Sequence, residues 1–376
     1  MSLSASESVI YQNVLEHVTK ITLNLKAVKV ENHPGDFNGW CRELIDVCLH
    51  RVNRDLLDEQ QFKPLKKIIE ILKNGVSVNQ LRMATIAPWP FYASFLNEQF
   101  SVHAFAERQK MLEYVAELKS TPLAQMSNED RLAFAGKHTA AHSPVHYDFD
   151  AEWFATTKTA KAFHTLLSQH PESLDKALEH IPLEGDVNES NYLAFVSEYK
   201  KAFTIIGEIA TLAPATRLLA VRRPDQFVAI TNSKVDLLTQ GMNIARLSKA
   251  DFEGYWSYLI INIRNCPWWR QSMPDVSEEQ FLWHHRVILL DMLFYADQTT
   301  PESSNYYKMI NKPTKTNAGT GSSRNGRKTP EEMVDIALAA DDMPEYIINK
   351  RNSIIIEVKK GKKVDDVIAM MRMIFG

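Results

Sequence analysis

Apolar residues recur at three- and four-residue intervals through most of the first three hundred positions, the pattern of helices with one buried face. Pro64 fits a first helical turn, Leu65, Ile68, Ile69 and Leu72 follow at core spacing, and Gly75 stands where such a helix would stop. A further helix is predicted to open at Ser127, run through Leu132 and Phe134 toward Ala141, and end before Pro144. Ser173 to His180 reads as a short helix and Pro182 with Gly185 as a turn. Tyr192, Phe195, Val196, Tyr199 and Phe203 then draw a broad apolar stripe along a long helix. The stretch from Glu278 to Ala296 is apolar on nearly every side and predicts a central core helix.

After Thr300 the pattern changes. Residues 311–330 are rich in glycine, serine and basic side chains, with no acid, the composition of a flexible basic linker. The C-terminal residues read as helix 330–340, strand 345–349, strand 353–359 and helix 364–374. Strand alternation would place Ile354, Ile356 and Val358 on one face and Ile355, Glu357 and Lys359 on the other. The expected fold is therefore mainly α. It comprises an N-terminal helical region (1–158), a central helical domain (159–305), a flexible basic linker (306–329) and a small α/β module of order α-β-β-α (330–376).

With 376 residues and 45% hydrophobic content, the chain can bury ample core without covalent staples. Its three cysteines, Cys41, Cys48 and Cys266, have spacings that suit neither a disulfide framework nor a zinc site, which fits a reducing compartment. The first residues lack the pattern of a secretory signal and no run reaches membrane-spanning length, so a cytoplasmic protein is expected. The net charge of −3 hides an asymmetry, because from Lys312 onward basic residues exceed acidic ones by three. Arg324, Arg327, Lys328, Lys360, Lys362 and Lys363 are thus candidate contacts to a nucleic-acid backbone, against the plainer reading of a solvated tail. Arg217, Arg222 and Arg223, ahead of Pro224-Asp225, are further candidates, and Trp268-Trp269-Arg270 joins aromatic and cationic surface. The plainer reading there is pairing with nearby acids and a packed corner at Pro267.

If Lys350-Arg351-Asn352 makes a three-residue turn, Glu345 falls opposite Glu357 across a hairpin. Opposed carboxylates repel, and a divalent cation would justify them. Pro344-Glu345 and Glu357-Val358-Lys359, after an acidic helix bearing Glu331, Glu332 and Asp335, resemble the minimal core of the PD-(D/E)xK nucleases. The resemblance implies that Glu345 and Glu357 hold Mg²⁺, which activates water, and that Lys359 orients the water. Glutamate stands where that family usually has aspartate, and the strand that normally follows the lysine is missing. A second candidate metal pair is His138 and His142, one helical turn apart, with His146, Asp148 and Asp150 close behind. The zinc-protease glutamate is absent, and surface or interface histidines are the alternative. His284-His285 near Asp291 suggests a general base, or else a hydrogen-bonded core histidine.

The run from Ala215 to Val228, ATRLLAVRRPDQFV, followed by Leu237, Leu238, Gly241, Tyr255-Trp256 and Cys266-Pro267-Trp268-Trp269, resembles a helical module of uncharacterised bacterial proteins from restriction and phage-defence neighbourhoods. It covers roughly residues 160–297 and implies a setting rather than a reaction. The functional expectation is a DNA-directed defence or restriction-like protein, with Mg-dependent phosphodiester cleavage at the C-terminal module. The alternative is a non-catalytic adaptor that binds nucleic acid, a protein partner or a second copy of itself.

Overall fold

Ser4 opens α1 (Ala5–Val18) through a reciprocal capping box with Glu7, and Asp36 caps α2 (Phe37–Asp46). Both pack on α3 (Glu59–Ile86), a 28-residue helix begun by a second capping box between Asp58 and Gln61. α3 does not end at Gly75. That glycine is buried mid-helix, where a Cβ would stand 3.1 Å from Ile10 Cδ1, so it admits α1 instead of stopping α3. The computed structural model describes residues 3–21, 32, 33, 35–312, 330–338, 343–359, 362 and 364–375. The chain divides into two compact units, 1–312 and 313–376.

The first unit continues with α4 (Trp89–Glu98), α5 (Phe105–Leu118), α6 (Asn128–Ala135), α7 (Lys161–Gln169), α8 (Pro171–Leu178), α9 (Glu189–Ile205), α10 (Leu212–Arg222) and α11 (Val235–Gly241). Ser127 caps α6 as its pattern suggests, but the helix stops early. Gly136, at φ 83°, takes the left-handed conformation and returns its N–H to the Ala133 and Leu132 carbonyls. α12 (Phe252–Gly254) runs through a π-helical stretch, Tyr255–Ile260, into α13 (Ile261–Asn265). Then come α14 (Pro267–Arg270), α15 (Ser277–His284) and α16 (Asn305–Ile310).

The single helix expected over 278–296 is broken. α15 ends at His284 and Ile288–Leu293 is 3₁₀, because the Pro224 carbonyl accepts from Val287 N at 3.2 Å and Ile288 N at 3.0 Å, drawing those amides off the α-helical ladder. The apolar run still does what its composition dictates. Val287, Ile288, Leu289, Leu290, Met292 and Leu293 are all fully buried. They belong to a core running from Leu81 to Phe294, while a second core, from Val14 to Val76, joins α1, α2 and the first half of α3.

The second unit contains α17 (Pro330–Leu338), α18 (Glu345–Ile348), α19 (Arg351–Lys359) and α20 (Val364–Phe375). No strand occurs among the described residues, so the expected α-β-β-α module is corrected to a helical one. The burial pattern in α19 shows why. Ile354, Ile355 and Val358 are buried and Ile356 is 54% exposed, a spacing of one and four that only a helix presents on one face. Those side chains pack with Val334 and Leu338 of α17, Ile347 of α18, and Val367, Ile368 and Met371 of α20. Packing on three sides overrides the strand preference of β-branched residues.

Candidate functional site

The hairpin chemistry loses its geometric premise in the helical second unit. Glu345 opens α18 and Glu357 lies in the last turn of α19, so they are not opposed residues of a ladder. Glu357 pairs with Lys362 at 2.6 Å, just beyond its own helix. Lys359 reaches Glu331 of α17 at 2.5 Å, and an Arg351–Asp335 pair also ties α19 to α17, so these two contacts clamp the helices together at the surface. Among the described residues no group of three or more histidines, cysteines or acids is assembled to hold a metal, and Glu357 and Lys359 are each engaged in an ion pair. Arg324, Arg327, Lys328, Lys360 and Lys363 lie outside the described residues.

In the histidine cluster, only His142 has both ring nitrogens engaged. His142 is fully buried. Its Nδ1 accepts from Thr139 N–H at 2.9 Å and its Nε2 donates to the Glu129 carbonyl at 2.9 Å, leaving no lone pair for zinc. His138 Nδ1 stands 3.7 Å from Asp150 Oδ1, and burial holds its pKa below the ordinary value despite that carboxylate. Asp150 accepts from Asn305 and Asp148 from Lys110. Asp291 is not the partner of the 284–285 pair. It accepts from Arg108 at 2.8 Å and Lys234 at 2.6 Å, and although burial opposes its charge, those two cations keep its pKa well below the usual carboxylate range.

The three arginines near Pro224 are brought together, but their donors face inward. Arg217 is completely buried and donates to four backbone carbonyls, those of Ala133, Phe134, Ala151 and Trp153. Arg222 holds the Ile181 and Lys119 carbonyls at 2.9 and 3.0 Å. Arg223 forks onto Asp225 with both contacts at 2.9 Å and also binds the Pro182 and Gly185 carbonyls. Burial opposes the Asp225 charge, yet the Arg223 bonds outweigh it and leave the carboxyl below its ordinary pKa. Arg217 thus fastens the end of α6 and residues 151–153 to the middle of α10, while Arg222 and Arg223 fasten loop 181–185 to its end.

What it frames is a cavity of about 640 Å³ between the C-terminal half of α5, loop 183–186, residues 221–226 and the end of α15. Leu112, Val115, Val221, Pro224 and Phe281 make much of its wall apolar. Arg286 forms one side. It is 4% exposed, and its guanidinium carbon lies 4.0 Å from the Trp283 ring and 5.5 Å from the Trp269 ring. NH1 donates to the Trp283 carbonyl at 2.6 Å, while Nε is buried without an acceptor. Among the described residues no carboxylate forms an ion pair with it, Asp225 being occupied by Arg223 and Gln226. Burial lowers its pKa, with Asp225 opposing from a distance. Arg264 shares the Trp269 ring, 5.4 Å from it and 4.8 Å from that of Trp256, with its own Nε also buried and unpaired. His285, stacked on Phe281 at 4.1 Å and donating Nδ1–H to the Phe281 carbonyl, is held neutral, its pKa pushed down to about 4 by burial.

No family model, curated protein or solved structure matches the chain. The chemistry therefore rests on the site itself. A buried guanidinium without a counter-ion is costly, and an anion delivered to the cavity would offset that cost. The aromatic planes and apolar walls suit a ligand with a flat, uncharged body behind its charge. Neither Arg264 nor Arg286 was marked by periodicity or motif. A charged residue directly ahead of the apolar run 287–293 is the one sequence signal that could have singled out Arg286.

Proposed function

We propose that the protein is a non-catalytic binder of a phosphate-bearing ligand, a nucleotide unit either free or within a nucleic-acid strand, and that the ligand enters the cavity beside Arg286. The observation that carries this reading is the Arg286 guanidinium, buried between Trp269 and Trp283, carrying one hydrogen bond and no carboxylate partner among the described residues. Charge-assisted contact to phosphate satisfies it, and the apolar wall accepts a base. Recognition of this kind is a step that the expected DNA-directed defence role would use.

Titration of the full chain with a short single-stranded oligonucleotide and, separately, with a mononucleotide distinguishes the two sources of phosphate. Tryptophan fluorescence is the readout, because Trp269 and Trp283 frame the cation. Binding should weaken about tenfold or more in Arg286→Met and fall steeply with added salt. Equal affinity in wild type and variant excludes the cavity as the phosphate site. Incubation of the wild type with plasmid and Mg²⁺ should leave the DNA intact; cleavage would make the protein an enzyme and overturn the non-catalytic reading.

A further inference from the structure

The Arg286 cavity is lined by two further cations that form no ion pair among the described residues, Lys119 just after α5 and Arg222 at the end of α10. Arg222 spends Nε and Nη1 on the Ile181 and Lys119 carbonyls, and its Nη2 keeps accessible surface with no acceptor among the described residues. Arg286 is alike in this respect: Nη1 is bonded, Nε is enclosed, and Nη2 remains accessible and unbonded. Lys119 is half-buried, and its side chain makes no hydrogen bond among the described residues. The Arg222 bond to the Lys119 carbonyl holds these two cations together at 3.0 Å. The Lys119 ammonium also lies within electrostatic range of His285, whose protonation it opposes. One phosphate on Arg286 would leave Arg222 and Lys119 without a counter-ion, and a second phosphate would supply it.

The carboxylates of the same cavity are placed differently. Asp225 is taken up by Arg223 and Gln226, whereas Glu184 and Asp186 are exposed on loop 183–186, at the rim. Cations within and acids at the rim discriminate by ligand length. A nucleic-acid strand would carry its flanking phosphates past Glu184 and Asp186, at a cost in repulsion, while a free nucleotide ends inside. The volume of about 640 Å³ lies well within the roughly 300–1,000 Å³ of sites that enclose whole small molecules. We infer that the cavity takes a free nucleoside polyphosphate and not a strand, with the phosphate chain extending from Arg286 to Arg222 and Lys119. This rests on the reading of Arg286 as a phosphate contact, and it adds which phosphate-bearing ligand is held.

Isothermal titration calorimetry of the full chain with nucleoside mono- and diphosphates of adenine and guanine, and with a short single-stranded oligonucleotide, tests the inference. In at least one base series the diphosphate should bind about tenfold more tightly than the monophosphate, and more tightly than the oligonucleotide. Lys119→Gln should weaken the diphosphate far more than the monophosphate and so remove most of that preference. Should the variant not fold, the wild-type ratio decides by itself. Glu184→Gln combined with Asp186→Asn should raise oligonucleotide affinity several-fold at low salt. Equal affinity for mono- and diphosphate, an unchanged preference in Lys119→Gln, or an oligonucleotide that binds more tightly than the diphosphate would each overturn the inference while leaving Arg286 as a phosphate contact. Binding of none of these ligands to the wild type would overturn both.

Discussion

Arg217 is a guanidinium spent entirely on backbone. With no carboxylate partner among the described residues, it satisfies carbonyls from two segments, 133–134 and 151–153, and burial draws its pKa down to about 9. Gly136 sits beneath it; a Cβ there would lie 2.6 Å from the Ala155 carbonyl and 3.1 Å from Arg217 Nε. Arg217→Met strips the Phe134, Ala151 and Trp153 carbonyls of their guanidinium donors, and should cost about 3 kcal/mol or more in a urea titration. Lysine should not rescue it, because a single ammonium cannot reproduce the planar fork. A loss below about 0.5 kcal/mol would show that the carbonyls find other partners. The sequence marked Arg217 as a phosphate contact because it stands with Arg222 and Arg223 ahead of Pro224-Asp225, where a helix end was expected. It could not reveal that the end of α6 and residues 151–153, distant in the chain, would present their carbonyls to it.

At the scale of elements, the isoleucine run of α19 separates the helical from the extended arrangement. In a strand, Ile356 would share the packed face with Ile354 and Val358, and Ile355 would lie beside Glu357 and Lys359. In the helix Ile355 is buried and Ile356 is exposed. Ile356→Lys should therefore leave the melting of the second unit, followed by circular dichroism at a helical wavelength, within about 0.5 kcal/mol of wild type. Ile355→Lys should unfold it. The reverse result would restore the strand. Elements with helical spacing were legible: Tyr192, Phe195, Val196, Tyr199 and Phe203 are buried along α9 as their spacing requires. Boundaries set by distant atoms were not. The Pro224 carbonyl that interrupts the 278–296 run lies more than fifty positions earlier in the chain, and the small contact surface of Gly75 resembles a stop signal until α1 is seen crossing there.

For the whole molecule, buried histidines tie stability to pH. Burial, aided by Arg108, holds the folded pKa of His103 at about 3 against an ordinary value of 6.5, and burial holds His164 and His285 at about 4. Above pH 6.5 these rings are neutral in both folded and unfolded chains and cost nothing. As pH falls below 6.5 the unfolded chain takes up protons that the folded chain refuses, so stability declines down to the folded pKa values. His103 alone should remove about 1.4 kcal/mol per pH unit across that window, and His103→Gln should flatten the acid limb of a stability profile measured between pH 7 and 4. An unchanged slope would mean that the ring is protonated in the fold. The same buried network keeps Asp291 ionised between Arg108 and Lys234. No helix is long and apolar enough to cross a membrane among the described residues. What the sequence determined by itself was helical character through the body, the cap of α6, and the change in texture after Thr300, because each depends on neighbours within a few residues. Tertiary structure alone decided the helicity of the second unit, the inward use of Arg217, Arg222 and Arg223, and the isolation of Arg286. Those outcomes depend on which distant backbone groups and side chains arrive to pair with them, and local spacing carries no record of that.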